Sequence, residues 1–203
     1  MIQWLFFDLG STLIDETDCE KDRFTDLLNQ SKGLTKEDLI EKYREYISKN
    51  KSPYKAIVKE LDLKPKEWPN HLEKIYSDVP FVLEQLIQKY HLGIIANQSF
   101  GTEKRLEQYG LRKYFDVVIS SSEVGYSKPN PEIFKMALSS AGCLPEQAVM
   151  IGDRLDNDIE PAAKLKMHTI WVKQGIFQDA NITSIEDKPE IIIKHISEIL
   201  NVL

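Results

Sequence analysis

Five short apolar stretches, residues 2–7, 92–96, 117–120, 148–151 and 169–172, are spaced along the chain and bounded by polar or turn-forming residues. Runs of this length, unbroken by charge, read as strands buried on both faces. Between them the apolar positions fall at helical spacing. A helix is predicted over 81–90, with Val82, Leu83, Leu86 and Ile87 on one face, and a second over 102–109, stopping at Gly110. The third has the sharpest punctuation: Asn130 as cap, Pro131 at the first helical position, Glu132 in the first turn and Gly142 at the end. A fourth is predicted over 157–167, where Pro161 is tolerable near the first turn, and a last one over 189–200. Buried strands alternating with crossover helices imply an α/β fold with a doubly wound parallel sheet.

Residues 15–79 break the alternation. They hold no convincing buried strand; Phe24, Leu27 and Leu28, then Leu39, Tyr43 and Ile47, then Tyr54, Ile57, Val58 and Leu61 recur at helical spacing. A small helical module is therefore expected to interrupt the sheet-forming chain, with Tyr43, Tyr46, Tyr54 and Trp68 packing between its helices. Charge is uneven within this module as well. The 203 residues carry 26 basic and 32 acidic side chains, a net of -6, yet the segment from Lys32 to Lys74 has 11 basic against 8 acidic. The acidic remainder and a pI near 5.3 argue against a protein that binds nucleic acid through a general basic face. No apolar run approaches the roughly 20 residues of a membrane span, and the amino terminus lacks a basic leader and is interrupted by Asp8, so neither a membrane anchor nor a signal peptide is expected. Two cysteines, Cys19 and Cys143, give no disulfide framework and no metal-ligand spacing, which makes the cytoplasm the expected compartment.

In a doubly wound sheet, ligands bind beyond the carboxyl ends of the strands, near the point where strand order reverses. The first strand ends in Asp8, the second in Ala96 and Asn97, and the fourth in Gly152 and Asp153, with Asp156 and Asp158 close behind; Lys128 precedes Pro129 on the loop before the third helix. Several carboxylates converging on one lysine repel each other unless a cation joins them. Mg2+, a hard ion that takes oxygen ligands and shares its shell with substrate phosphate, suits such a set.

These segments resemble the haloacid dehalogenase-like hydrolases. The likeness rests on FFDLGSTLID at 6–15, LGIIANQS at 92–99, YSKPNPEIF at 126–134 and VMIGDRLDNDIEPA at 149–162. It implies a Rossmann-like core over 1–14 and 80–203 and a helical C1-type cap over 15–79. It further implies that Asp8 is the nucleophile, attacking phosphorus to give an aspartyl-phosphate that water hydrolyses. Asp153 and Asp158, with Asp8 and the main-chain carbonyl of Gly10, would hold Mg2+. Lys128 would neutralise charge on the nucleophile and the phosphoryl group, and Ser11, Asn97, Gln98 and Lys128 would contact a small phosphorylated substrate.

Two positions depart from the family pattern. Gly10 stands where most phosphatases of the family place a second Asp, the general acid and base, and Ala96 stands where a Ser or Thr hydroxyl usually holds the phosphoryl group. Lys166 replaces a Gly often found at the end of the last core crossover helix. Three readings therefore stay open: a phosphohydrolase narrowed toward activated leaving groups, a phosphonate or haloacid hydrolase, and a degenerate protein that binds a phosphorylated ligand or a partner. The acidic cluster favours the first, because dehalogenases need no metal. A monomer and a dimer are equally compatible with the sequence.

Overall fold

The computed structural model describes residues 1–182 and 188–203. Six parallel strands form the central sheet: β1 (Trp4–Phe7), β4 (His91–Ala96), β5 (Val117–Ser120), β6 (Ala148–Gly152), β7 (His168–Val172) and β8 (Ile191–Ile193). Their order across the sheet is β5-β4-β1-β6-β7-β8. The chain fills one half of the sheet from β1 through β4 to β5, then crosses β1 and fills the other half from β6. The reversal of strand order thus falls between β1 and β6, which pair from Trp4 and Ala148 to Phe7 and Ile151. Both faces of the sheet are covered. Leu5, Phe7, Ile94 and Ile151 point into one buried cluster with Val82, Leu83 and Leu86 of α4 (Val79–Leu86). Phe6, Ile95 and Met150 point into the other, with Ile133, Phe134 and Ala137 of α7 (Pro131–Ala141). Strand positions i and i+1 facing opposite clusters is the period-2 geometry that makes such strands read as continuously apolar.

The five predicted strands are present at their expected places, and α5 (Thr102–Gln108) and α7 match the predicted second and third helices. The Asn130 side chain accepts from the Glu132 amide at 3.0 Å, and Gly142 closes α7 at φ 62°. Ile87 departs from expectation. It lies just beyond α4 and is 40% exposed, because the chain turns toward β4 there.

The predicted helix over 189–200 does not form. Ile191–Ile193 instead add β8 parallel to β7, followed by a 3-10 turn, Ile196–Asn201. Three consecutive β-branched residues favour extended backbone, and Ile192 exposed beside buried Ile193 is strand alternation. The fourth helix is also recast: a π-turn, Leu155–Ile159, precedes α8 (Glu160–Lys164).

Three helices, α1 (Thr17–Gln30), α2 (Lys36–Ser48) and α3 (Pro53–Glu60), occupy the segment that interrupts the sheet-forming chain. Leu27, Leu39, Tyr43, Tyr54 and Ile57 form their shared core, with Phe24, Leu28, Tyr46, Val58 and Leu61 around it. Thr35 caps α2 reciprocally with Asp38. Ile47 leaves this group; it packs against the cluster of Leu155, Ile159, Trp171 and Phe177 beside the π-turn. A two-residue antiparallel ribbon of β2 (Ile14–Asp15) and β3 (Lys74–Ile75) joins the points where the chain leaves and re-enters the sheet region.

Candidate active site

Asp8 follows the last residue of β1, and its amide donates to the Ile151 carbonyl at 2.8 Å, which extends the β1–β6 ladder and fixes the start of the loop. Lys128 Nζ donates to Asp8 Oδ1 and to Asp158 Oδ1, both at 2.5 Å, and all three residues are buried. Asp158 arrives from the π-turn after β6, held by the Arg154 amide at 3.0 Å. Gly152 permits this approach, because a Cβ there would overlap the Asp158 side chain. The carbonyl of Asp153 accepts from the Trp171 indole at 2.8 Å. Asp8, Asp153 and Asp158 each turn a carboxylate oxygen into one cluster whose ligand atoms lie within 4.8 Å of one another.

Charge in this cluster is under-compensated. Burial, reinforced by Asp158 and opposed by Lys128, raises Asp8 to about 6. Burial, with Asp8, Asp158 and Glu16 as neighbours, raises Asp153 well above the ordinary carboxylate range. Burial works against the Lys128 ammonium, yet Asp158 and Asp8 outweigh it and hold its pKa above the usual lysine value. Three buried carboxylates against one ammonium form an oxygen donor set for a hard divalent cation.

Asn97 uses its side-chain amide on the main chain of Lys128. Its Oδ1 accepts from the Lys128 amide at 2.7 Å, and its Nδ2 donates to the Lys128 carbonyl at 2.9 Å. This clasp holds the loop around the cis Lys128–Pro129 bond and so aims the ammonium. Gln98 accepts from Arg105 Nη1 at 2.7 Å, and its carbonyl takes the hydroxyls of Ser121 and Ser122 at the start of the short helix α6 (Ser121–Val124). Ala96 is fully buried at the end of β4; the nearest strand partner hydroxyl, Ser120, is spent on Glu123 at 3.0 Å. Ser11 sits in the left-handed region at φ 54°, a conformation costly for a serine, and its Oγ donates to Glu16 Oε2 at 3.1 Å. Asp156, grouped by sequence with the acidic cluster, does not join it: Arg154 takes both its oxygens, at 2.9 and 2.6 Å.

Asp8, Ser11, Asn97, Gln98, Lys128, Asp153 and Asp158 line an open cavity of about 520 Å³ between the carboxyl edge of the sheet and the three helices. The helical side contributes Glu16, Glu20, Arg23, Lys55 and Trp68, none of which the sequence had marked for chemistry. The Arg23 guanidinium stacks between Tyr54 and Trp68, 4.4 Å from each ring centroid. Trp68 Nε1 in turn donates to buried Glu73, which also receives Tyr109 and Arg105. Glu16 is pushed up to about 8, chiefly by burial and then by the charges of Asp8 and Glu73.

The family model of haloacid dehalogenase-like hydrolases matches residues 5–172. The chain belongs to that family. Among curated haloacid dehalogenase-like relatives, it is 31% identical over 198 residues to the glyceraldehyde 3-phosphate phosphatase of Methanothermobacter thermautotrophicus, covering 87% of this chain and 88% of that one. It is 30% identical over 217 residues to the pyrophosphatase PpaX of Listeria monocytogenes, covering 100% and 96%. Among solved structures of the family, a HAD phosphatase from Thermococcus onnurineus superposes with a TM-score of 0.68 at 25% identity, over 99% of this chain and 97% of that one. No helix among the described residues is long and apolar enough to cross a membrane.

Proposed function

We propose that this hydrolase is a Mg2+-dependent phosphohydrolase acting on a small phosphorylated metabolite through an aspartyl-phosphate on Asp8. The observation that carries the reading is the pairing of buried Asp8 with Lys128 beside two further carboxylates, at the floor of an open cavity. Residues 15–79 serve as a cap over a core of 1–14 and 80–203, and the cavity between them takes the substrate. Named relatives act on a sugar phosphate and on pyrophosphate by their names, both small and strongly anionic. Arg23 and Lys55 on the helical side give such a substrate counter-charge.

In the first step the Asp8 carboxylate attacks phosphorus and the ester oxygen departs. Lys128 keeps Asp8 ionised and offsets the phosphoryl charge, while Asn97 fixes the lysine's main chain. Asp8, Asp153, Asp158 and the Gly10 carbonyl would hold Mg2+, which when bound supplies positive charge to the phosphoryl oxygens. Ser11 and Ser99 both line the cavity, and either supplies a hydroxyl to the substrate in place of the one missing at Ala96, Ser11 by turning from Glu16. Release of orthophosphate from a panel of phosphate esters, dependent on Mg2+ and abolished in Asp8→Asn, is the expected result. Halide release from a 2-haloacid that persists in EDTA, with no phosphate released from any ester, would overturn the reading.

A further inference from the structure

Gly10 removes the carboxylate that the family usually carries two residues after the nucleophile, but the structure does not leave its place vacant. A Cβ built on Gly10 would lie 2.5 and 2.7 Å from the two carboxylate oxygens of Glu16 and 2.8 Å from their carbon. Both oxygens are nearer to that Cβ than their carbon is, so the Glu16 carboxyl group turns its oxygens toward position 10. A carboxyl group therefore lies directly against position 10, in space that the first atom of any side chain there would need, delivered from the residue that opens α1 rather than from the β1 loop.

The surroundings hold it there. Ser11 Oγ anchors Oε2 at 3.1 Å, while Oε1 takes no hydrogen bond among the described residues. Glu16 lines the same cavity as Asp8, Lys128 and Asp153. The other nearby carboxylates are placed differently. Glu73 is saturated by Trp68, Arg105 and Tyr109; Glu20 lines the same cavity with one buried carboxylate oxygen unpartnered, but it lies one helical turn further along α1 and is not among the atoms against Gly10.

We infer that Glu16 is the general acid and base of this hydrolase, replacing the carboxylate lost at position 10. The inference rests on the phosphohydrolase reading above. In the first half-reaction the bond from Asp8 to phosphorus forms, the bond to the ester oxygen breaks, and that oxygen takes the Glu16 proton to leave as an alcohol. In the second, water attacks the aspartyl-phosphate, Glu16 carboxylate takes the water proton, and Asp8 departs as a carboxylate with orthophosphate released. General acid–base groups contribute about 10² to 10⁴-fold.

The test compares an alkyl phosphate, whose leaving oxygen needs a proton, with nitrophenyl phosphate, whose leaving oxygen does not. Wild type, Asp8→Asn, Glu16→Gln and Glu16→Ala are assayed with Mg2+. Glu16→Gln is expected to lose about 10²-fold or more in kcat on the alkyl ester. On nitrophenyl phosphate it should release one nitrophenolate per protein in a burst and then stall, with a phosphate-sized mass increment on Asp8. The burst itself shows that the variant is folded. Adding Gly10→Asp to Glu16→Ala restores a carboxylate to the same volume and should recover roughly tenfold or more on the alkyl ester. Glu16→Gln turning over the alkyl ester within about threefold of wild type overturns the inference alone, as does Glu20→Gln reproducing the loss while Glu16→Gln is silent. Wild type inert on both esters overturns the phosphohydrolase reading and the inference with it.

Discussion

Three carboxyl groups of the site share one electrostatic sign. In the metal-free protein Asp8 is raised from 3.8 to about 6 and Glu16 from 4.5 to about 8, chiefly by burial, and Asp153 moves the same way. A raised acid binds more protons folded than unfolded, so its contribution to stability is complete below the unfolded value and is lost as pH climbs through the folded one. Metal-free protein is therefore expected to lose thermal stability steadily from about pH 4 to about pH 8. Mg2+ should flatten that slope by compensating the carboxylates, and Glu16→Gln should flatten its upper half without Mg2+. Melting temperatures measured across this range, with and without Mg2+, check both, and a slope unaffected by either change would contradict the electrostatics. At this scale the sequence exposed Asp8, Asp153 and Asp158, because they end or follow strands whose ends converge, and Lys128, because it precedes Pro129 on the loop before α7 within a motif that resembles the family's. Glu16 was invisible. Nothing in linear spacing says that a residue at the start of a helix folds its carboxyl group into the space beside Gly10.

Elements show the same division between what periodicity reveals and what packing decides. Lys166 follows α8 in the left-handed region at φ 67°, where a side chain is strained and glycine is not. Lys166→Gly is expected to stabilise the fold by about 1 kcal/mol, raising the melting temperature by roughly 2–4 °C; a decrease would show that the lysine contributes contacts outweighing its backbone strain. Glu73 sits just before β3, its side chain fully buried, and binds the helical segment's Trp68 to Arg105 and Tyr109 of the core. Glu73→Ala removes the partner of a half-buried guanidinium, which keeps its bond to Gln98, and of two further donors, and should cost about 1–3 kcal/mol in urea unfolding. A loss below about 1 kcal/mol would mean that water readily takes its place. The last predicted helix failed for a related reason. Ile191, Ile192 and Ile193 satisfy helical spacing with Ile196 and Ile199, and only the open edge of β7 selects the strand. Caps and β-branched runs were legible in sequence; competition for a sheet edge was not.

Across the whole molecule, the negative net charge is unevenly spread, with a basic excess confined to residues 32–74 and the carboxylate cluster at the carboxyl edge of the sheet. The helical segment and the sheet are also fastened to each other. Arg154, next to Asp153 in the chain, stacks 4.2 Å over Phe177 and donates through Nη2 to the Asn50 carbonyl at 3.1 Å, while Ile47 packs beside the π-turn that carries Asp158. The turn between α2 and α3 thus leans on the loop that presents two of the cluster's three carboxylates. Lys49 and Lys51, exposed on either side of Asn50, are trypsin sites at that turn. An ion that braces the loop must oppose local opening of the turn by mass action. Nicking after Lys49 and Lys51 should slow severalfold when saturating Mg2+ is added, and Arg154→Ala should erase the difference. Protease sensitivity at a remote turn would then report occupancy of the site without any substrate being known.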